Sequence, residues 1–349
     1  MPAVYDRIIG VRSAHTMQIY VGLGTTCNFD CKYCPTYVHN GAIPWQDIDL
    51  LMTVLTEIRK QYAWKTHRTY NLLGGEPTSW AKLSELCQRI KAMDNSSSIM
   101  IATNGSRTVR YWRDIAPYID RAIVSVHVAQ IDIQELNENF KQFILGGMHL
   151  STNILMDINC WHKAVADAQW MTQHGWSHYI TMKPVETMLG SNGLQPYSAE
   201  QTNTISSWGN DLQKSRYQAC LDLATPRPLP NTDLYKFATS DGYISPLNNF
   251  QAVSSGLDHM KGWHCFLNAD KISVHTDGMV RAGDTCDQWP MLGNFKTSDP
   301  TTWDWTIAAQ QCRRDRCVCG GDLDTHKFKD AASAADYDKI IRDRMKISG

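Results

Sequence analysis

The sequence predicts an α/β fold in which a parallel β-sheet carries helices on its outer side. Two observations support this fold class. Strand-type runs alternate with amphipathic helical segments through roughly the first half of the 349 residues, and the polar motifs fall where strands end. Because parallel neighbours need long crossovers, this alternation indicates β-α units in series rather than hairpins.

The predicted strands are short runs of β-branched and apolar residues, several of them closed by a glycine or asparagine turn. The six strands cover residues 17–23, 69–73, 98–102, 121–128, 151–158 and 176–183. In sheets of this kind the chemistry gathers at the carboxyl ends of the strands. We therefore expect functional residues directly after the first three strands.

The segments between the strands carry apolar residues spaced three and four apart, as in helices that pack by one face. One helix spans 45–62 and a second starts near Ser79. A third follows the fourth strand, and a fourth spans 161–174, where Gly175 can stop it. The apolar positions that define the first three helices are Ile48, Leu51, Leu55, Ile58, Leu83, Leu86, Ile90, Ile133, Leu136, Phe140 and Phe143.

The alternation stops beyond residue 183. The stretch over 184–260 is rich in Pro, Asn, Ser and Gly and contains one predicted helix, which begins at the capping box Ser198-x-x-Gln201. The chain is thus expected to divide into a core barrel over 14–190, a cysteine-bearing region over 216–330 and a C-terminal helix or tail over 331–349.

The charge balance excludes several classes of partner. Lysine and arginine number 34, and aspartate and glutamate number 35, so the chain has no overall attraction to nucleic acid or to an acidic membrane. The N-terminus lacks the apolar core of a signal peptide, and no run of about 18 apolar residues occurs. We expect a cytoplasmic protein that binds neither nucleic acid nor a membrane.

The eleven cysteines are the unusual feature of the composition. Their odd number, the chain length and the expected reducing compartment favour metal binding or redox chemistry over disulfides. Three of them lie within eight residues near the start, five lie between 265 and 319, and three stand alone.

The first group is C-x3-C-x2-C, formed by Cys27, Cys31 and Cys34 directly after the first strand. A short loop can wrap three thiolates around one corner of an iron–sulfur cube, which leaves the fourth iron open to a substrate. The alternative is a zinc ion with His39 as the fourth ligand.

This spacing and position resemble those of the radical S-adenosylmethionine (SAM) superfamily, and the aromatic Tyr33 before the last cysteine is also usual there. The resemblance implies a partial (β/α)6 TIM-like barrel and a [4Fe–4S] cluster whose open iron binds SAM. It further implies that one electron from the cluster cleaves SAM to a 5′-deoxyadenosyl radical, which abstracts hydrogen from a substrate.

The motif Gly74-Gly75-Glu76-Pro77 after the second strand strengthens the resemblance, because it matches the GGEP motif of that superfamily. Glycines let the backbone approach a ligand closely, and Glu76 can accept a hydrogen bond from the methionine ammonium group of SAM.

Three further SAM-contacting residues are implied by the resemblance alone: Asn104, Ser125 and Asn153. Each can equally be a turn residue or a polar group satisfied within the sheet. His127 points to the same side of its strand as Ser125, so it either lines the pocket or packs. No G-x-G-x-x-G fingerprint precedes a helix, so a nicotinamide enzyme is not supported.

The late cysteines surround a predicted hairpin. A strand over 272–275, a turn at Asp277-Gly278 and a return strand from Val280 would bring the flanking cysteines together at one metal. The group is Cys265, Cys286, Cys312, Cys317 and Cys319.

This layout resembles the C-terminal auxiliary-cluster domains called SPASM and, in a shorter form, Twitch. The resemblance implies one auxiliary [4Fe–4S] cluster held by four of the five cysteines, with structural zinc as the alternative. It also implies that an acidic residue beside that cluster, Asp287, serves as a base, although an aspartate there can simply be a turn residue.

The predicted function is hydrogen abstraction from a substrate carbon, leading to oxidation or cross-linking in a biosynthetic pathway. A small-molecule substrate is favoured, because only about sixteen residues precede the first predicted strand and these would not form a leader-binding domain. Two alternatives are modification of a peptide or protein side chain and a non-catalytic iron–sulfur electron carrier. The resemblance further implies a reducing partner such as flavodoxin or ferredoxin.

Overall fold

The computed structural model describes residues 5–8, 15–176, 180–187, 194–208, 235–239, 244–247, 256–283, 286, 288–317, 320–323 and 325–348. Strands and helices are labelled below in chain order. No helix in these ranges is both long and apolar enough to cross a membrane.

A sheet of nine strands forms the centre of the described fold, in the order β13-β12-β11-β2-β3-β4-β5-β6-β7. Its strands are β2 (Thr16–Gly22), β3 (His67–Leu73), β4 (Ser98–Thr103), β5 (Arg121–Val126), β6 (His149–Leu155), β7 (Ile180–Lys183), β11 (Lys271–Val274), β12 (Met279–Ala282) and β13 (Met291–Asn294). Strands β2 to β7 are parallel neighbours in sequence order, which confirms the predicted β-α series.

Several predicted strand boundaries are wrong, for local reasons. Strand β5 ends at Val126 and not at 128, because the chain then turns and the Gln130 amide donates to the His127 carbonyl at 2.8 Å. Strand β6 ends at Leu155, because Asp157 caps a short 3-10 helix over Ile158–Cys160 by accepting from the Asn159 amide. The last strand of the series, β7, is described over Ile180–Lys183, and its predicted start at residue 176 is wrong because Trp176 ends a helical turn over Thr172–Trp176.

Nine helices occur in the described part of the chain. They are α1 (Ile48–Gln61), α2 (Leu83–Met93), α3 (Val109–Ile115), α4 (Ile133–Leu145), α5 (Trp161–Met171), α6 (Ala199–Ser207), α7 (Leu267–Asp270), α8 (Gly320–Leu323) and α9 (Ala331–Ser348). The capping box at Ser198 and Gln201 and the C-terminal helix are confirmed.

Helix α3 is the one helix of the β-α series that the apolar spacing did not predict. It is short, begins at Thr108, whose side chain accepts from the Tyr111 amide, and is anchored by Trp112. The Trp112 indole is fully buried, donates to the Gly105 carbonyl and meets the Phe143 ring edge-on at 4.5 Å. One buried aromatic residue therefore replaces a repeated apolar pattern.

The two faces of the parallel strands differ. Ile19, Val21 and Ile101 are fully buried in the apolar core shared with the helices, and each such side chain contributes roughly 1.5–3 kcal/mol to folding. The opposite face is polar and includes Gln18 and Asn71. The helices cover the apolar face, and the polar face carries the hydrogen-bonding groups that a ligand would need.

The predicted hairpin is confirmed and extends the parallel sheet. Strand β11 pairs in parallel with β2 and antiparallel with β12, through a turn in which Gly278 has φ +94°. Strand β11 begins, and the antiparallel β12 ends, at the amino end of β2. Cys265, before β11, and Cys286, after β12, therefore lie toward the amino ends of the parallel strands. Cys27, in contrast, follows the carboxyl end of β2.

A second sheet, in the order β14-β10-β15-β1-β8-β9, was not predicted. Its strands are β1 (Arg7–Ile8), β8 (Tyr235–Ala238), β9 (Ile244–Leu247), β10 (His264–Cys265), β14 (Gln310–Gln311) and β15 (Lys327–Phe328), and all of its pairs are antiparallel. The first strand of the chain is therefore β1, which pairs with β15 some 320 residues later.

A buried ionic network joins the late segments to the parallel sheet. Asp270 Oδ1 lies 3.2 Å from Lys65 Nζ, and its Oδ2 accepts from His326 Nδ1 at 2.6 Å and from the His326 amide at 2.8 Å. Burial acts to raise the pKa of Asp270, but the neighbouring His326 and Lys65 outweigh it and lower that pKa. The carboxylate is thus held charged inside the protein.

Candidate active site

The first cysteine loop leaves the carboxyl end of β2 and is closed at its base by main-chain pairing. Thr26 forms an antiparallel bridge with Asn40, and the Gly41 amide donates to the Thr25 carbonyl at 2.9 Å. Inside the loop, the Cys34 amide donates to the Cys31 carbonyl at 2.9 Å. The three thiols are therefore carried on one compact, pinned loop.

The three thiols lie in a poorly hydrated environment. Burial raises the pKa of Cys31 to about 12 and also raises the pKa values of Cys27 and Cys34. Charge repulsion acts in the same direction, from neighbouring cysteines on Cys31 and Cys34 and from Glu76 on Cys27. Such thiols become thiolates when a metal replaces their protons. The all-sulfur donor set and its burial fit an iron–sulfur cluster.

His39, the fourth ligand of the zinc alternative, is engaged elsewhere. Its Nε2 lies 3.1 Å from the Cys34 carbonyl oxygen, and its Nδ1 lies 4.0 Å from Asp30 Oδ1. A ring nitrogen that donates to a carbonyl is not free to bind a metal, so a Cys3His zinc site would have to use His39 Nδ1, which here faces Asp30.

His127 lies packed against the cysteine loop, and whether it also lines a ligand pocket stays a prediction. Its Nδ1 is 3.1 Å from Cys31 Sγ and 2.8 Å from Tyr33 Oη, and the Tyr33 and His127 rings stack with centroids 5.9 Å apart. Burial lowers the pKa of His127 to about 4, so the ring is neutral near pH 7. Tyr33 thus contacts His127; its predicted contact with SAM stays a prediction.

The segment Gly74-Gly75-Glu76-Pro77 pairs with the strand end that leads into the cysteine loop. The Gly75 amide donates to the Gly24 carbonyl at 3.0 Å, and the Glu76 amide donates to the Thr26 carbonyl at 2.8 Å. A Cβ at Gly75 would clash with the Thr26 carbonyl. Glycine is therefore required at position 75 by the close approach of the protein's own backbone, and the predicted approach of a ligand to Gly74 and Gly75 stays a prediction.

Glu76 is buried and makes hydrogen bonds to two loops. Oε1 accepts from the Thr78 amide at 3.0 Å, from Thr78 Oγ1 at 2.6 Å and from Thr103 Oγ1 at 2.7 Å, while Oε2 accepts from the Asn104 amide at 2.7 Å. It also caps the short 3-10 helix over Pro77–Ser79. Burial raises the pKa of Glu76, against the effect of these donors. The carboxylate therefore joins the ends of β3 and β4.

Asn104 continues this connection to the cysteine loop. Its Nδ2 donates to Asn28 Oδ1 at 2.9 Å, and Asn28 Nδ2 donates to Ser106 Oγ at 2.8 Å. Asn28 lies between the first two cysteines and was not predicted as a site residue. Its polar side chain inside the C-x3-C spacing was the only signal for it.

Ser125 and Asn153 are neighbours across β5 and β6, where they are register partners. Both are half-buried and lie on the side of the sheet that faces away from the helices. Their contact with SAM stays a prediction.

The second cysteine group surrounds a cavity. The lining includes the sulfur-bearing residues Cys265, Cys286, Cys312 and Cys317, together with Gln288, Trp289, Arg314, Arg316, Asp322 and Lys327. Four of the five predicted ligands thus share one cavity. The remaining one, Cys319, lies outside the described residues, as does the predicted base Asp287.

Gln288 bridges two of these cysteines. Its Nε2 lies 3.8 Å from Cys286 Sγ and 3.6 Å from Cys312 Sγ, and its Oε1 accepts from the Arg313 amide. The Cys286 amide donates to Asp322 Oδ2 at 3.0 Å. Sequence reasoning missed Gln288, since glutamine near a cysteine carries no distinctive pattern.

The second sulfur set lines a cavity. Among the residues that the structure describes, no three Cys, His, Asp or Glu side chains are grouped so as to hold a single metal ion. In a [4Fe–4S] cube each thiolate binds a different iron, so its ligands are spread around the cluster. A cavity lined by four sulfur atoms fits that requirement.

A comparison with known families matches the region that carries the first cysteine loop. Residues 21–155 match the family described as Radical SAM superfamily, and this region includes both the cysteine loop and the Gly74–Pro77 segment. These residues, 135 of the 349 in the chain, are therefore similar to the radical SAM superfamily. The similarity supports a [4Fe–4S] cluster and SAM as the cofactors of this site.

A relative of known activity is similar over part of the chain. GTP 3′,8-cyclase of Actinobacillus succinogenes is 26% identical over 127 residues, which cover 36% of this chain and 36% of the relative. The matching region is therefore well under two thirds of that enzyme's length.

Two solved structures are similar in fold. Native anSMEcpe with bound AdoMet has a TM-score of 0.52 at 14% identity, over 83% of this chain and 81% of that chain, and a structure of anSMEcpe with AdoMet and Cp18Cys peptide also has a TM-score of 0.52. Streptococcus suis SuiB bound to S-adenosylmethionine has a TM-score of 0.50 at 11% identity, over 82% of this chain and 65% of that chain. At these identities the likeness establishes the fold alone.

Proposed function

We propose that Cys27, Cys31 and Cys34 hold a [4Fe–4S] cluster at which SAM is cleaved, and that the resulting radical takes a hydrogen atom from a substrate carbon. When bound, the cluster supplies one electron to the SAM sulfonium, which releases methionine and a 5′-deoxyadenosyl radical. The observation that carries this proposal is the pinned cysteine loop at the carboxyl end of β2, packed directly against the Gly74–Pro77 segment.

The protein's own groups would hold this site in shape. Glu76 and Asn104 join the ends of β3 and β4 to the cysteine loop, and His127, the residue directly after β5, contacts Cys31. The backbone and side-chain groups at these strand ends would bind and orient SAM, and the polar face of the sheet would receive the substrate.

We further propose that Cys265, Cys286, Cys312 and Cys317 hold an auxiliary [4Fe–4S] cluster, with Cys319 as the fifth candidate ligand. Their shared cavity supports this ligand set. Structural zinc is the competing outcome, since four thiolates also suit that ion.

For the substrate we favour a small molecule. The similarity to a GTP 3′,8-cyclase supports a small-molecule substrate, whereas the fold shared with anSMEcpe, which has been solved with a bound peptide, supports a peptide substrate. A short precursor-peptide gene beside this one would favour the peptide.

The net reaction we propose is oxidation or cross-linking, with Asp287 as the base. The substrate would lose one hydrogen atom to the deoxyadenosyl radical, then one proton to Asp287 and one electron to the auxiliary [4Fe–4S] cluster proposed above, which would be reduced by that electron. The variant D287N should therefore still cleave SAM but form no product. Unchanged product yield would remove Asp287 from the mechanism.

We propose a cytoplasmic location and flavodoxin or ferredoxin as the reducing partner. A reducing compartment would keep the eleven cysteines available for cluster assembly.

The test is anaerobic reconstitution followed by iron counting and detection of 5′-deoxyadenosine after addition of dithionite and SAM. We expect about eight irons per chain and formation of deoxyadenosine, which C31A should abolish. About four irons with zinc in the second site would remove the auxiliary cluster. Fully loaded protein that forms no deoxyadenosine would instead favour an electron carrier.

A further inference from the structure

A buried lysine lies beside the second cysteine cavity. Lys327 is only 2% exposed and lines that cavity. It is the direct cross-strand partner of Cys265 in the antiparallel pair of β10 and β15. Residues directly opposite each other in such a pair have their side chains on the same face, so the ammonium group and the thiol share one side of the sheet.

Thr325 links the two side chains. Lys327 Nζ donates to Thr325 Oγ1 at 2.7 Å, and Thr325 Oγ1 lies 3.8 Å from Cys265 Sγ. Lys327 Nζ also donates to the carbonyl oxygens of Asp322 at 2.6 Å and Leu323 at 3.2 Å, at the end of helix α8. The position of the ammonium is therefore fixed by several oxygen atoms around the cavity.

The other cations on this cavity are less buried. Arg316 has a side chain that is 45% exposed and is paired with Asp258 at 2.7 Å, and Arg314 is half-buried. Charges exposed to water are screened, whereas a buried charge acts on its neighbours with little screening. Lys327 is thus the cation with the strongest influence on a charge placed in the cavity.

We propose that Lys327 is a positioning residue that, with Thr325, raises the reduction potential of the auxiliary cluster. This inference rests on the proposed function, since it requires that cluster. A [4Fe–4S] cluster with four thiolate ligands is an anion, and the single electron it gains on reduction adds one negative charge. A fixed, buried cation stabilises the reduced state more than the oxidised state. The auxiliary cluster is therefore poised to accept an electron, which fits net oxidation of the substrate.

The test is an EPR-monitored redox titration of the anaerobically reconstituted full-length chain. The variant with all of Cys27, Cys31 and Cys34 changed to alanine identifies the signal of the auxiliary cluster. We expect K327M to move its midpoint potential to a more negative value, T325V to move it less in the same direction, and K327R to keep it near that of the wild type. K329M removes an exposed lysine two residues away and should cause no shift.

The possible results separate the role of Lys327 from the existence of the auxiliary cluster. An unchanged midpoint in K327M with its iron content intact would overturn the role of Lys327. If K327M fails to retain its cluster, the comparison of T325V with wild type decides, and no shift there would overturn the inference. A wild type whose iron is lost entirely in the triple alanine variant would overturn the auxiliary cluster itself, and with it the proposed function of the second site.

Discussion

At the scale of single residues, Glu76 is the group on which the candidate active site depends most. Its two carboxylate oxygens accept four hydrogen bonds from residues that follow β3 and β4, and it is 2% exposed. A buried hydrogen-bonding group that loses its partner lowers the free energy of unfolding by about 1–3 kcal/mol.

The substitution E76Q should therefore weaken both folding and SAM binding, because an amide NH2 would face either the Asn104 amide or the two threonine hydroxyls. We expect a loss of about 1–3 kcal/mol in the free energy of unfolding, measured by denaturant titration, and weaker SAM binding by calorimetry. The matched control E85Q changes an exposed glutamate on α2 and should alter neither. A free energy of unfolding equal to that of the wild type in E76Q would show that these four hydrogen bonds do not stabilise the fold.

The sequence pointed to Glu76 and to Asn104, but it did not predict the hydrogen bonds that Glu76 makes with Asn104 and Thr103. The GGEP motif is local, so four consecutive residues suffice to find it. Thr103 and Asn104 lie 27 and 28 residues away, and only the parallel pairing of β3 with β4 brings them to the carboxylate. The predicted bond to a ligand ammonium was based on the motif alone, and it stays a prediction.

At the scale of elements, the hairpin of β11 and β12 controls the second site. Its turn depends on Gly278, where a Cβ would clash with Asn294 Oδ1 and where φ is +94°. Because the hairpin flanks carry Cys265 and Cys286, any distortion of the turn separates two of the four thiols.

The substitution G278A should lower the iron content by about four per chain while leaving the first cluster in place. The backbone strain alone costs about 1–2 kcal/mol, and the clash adds to it. The control G175A has φ +85° but no atom within 4 Å of the added Cβ, so it should keep its iron. Full iron content in G278A would argue against the hairpin as the frame of this site.

The strands and helices that could be predicted from the sequence are those that are long enough to show a periodic apolar pattern. Strands β2 to β7 and the helices α1, α2 and α4 have clear apolar patterns, and these patterns predicted them. The second sheet uses strands of two to four residues, such as β1 and β10, whose partners lie far along the chain. A strand of two residues is too short to show an alternating apolar pattern, so only its pairing with distant strands defines it.

At the scale of the whole molecule, Asp270 joins the parallel sheet to the late segments through Lys65 and His326. All three residues are buried. A buried ion pair that loses one partner leaves an uncompensated charge, which typically costs 3–5 kcal/mol.

We therefore expect D270N to lower the free energy of unfolding by about 3–5 kcal/mol, because Lys65 would keep a buried charge without its carboxylate. Denaturant titration of the reconstituted protein measures this difference. The control D49N changes an aspartate whose side chain is 82% exposed and should shift stability by less than about 0.5 kcal/mol. Equal losses in D270N and D49N would mean that the network does not stabilise the fold.

The arrangement of the two sulfur sets is the central feature of the molecule. One set follows the carboxyl end of β2, and the other lies toward the amino ends of the same parallel strands, across the sheet that β11 extends. We propose that SAM is cleaved at the first set alone.

The most direct measurement is the amount of 5′-deoxyadenosine formed by wild type and by two triple alanine variants, one of each sulfur set, after anaerobic reconstitution with dithionite and SAM. We expect deoxyadenosine from the wild type and from the variant lacking Cys265, Cys286 and Cys312. We expect none from the variant lacking Cys27, Cys31 and Cys34. Deoxyadenosine formation that survives loss of the first set would contradict the proposal that SAM is cleaved at the cluster of Cys27, Cys31 and Cys34.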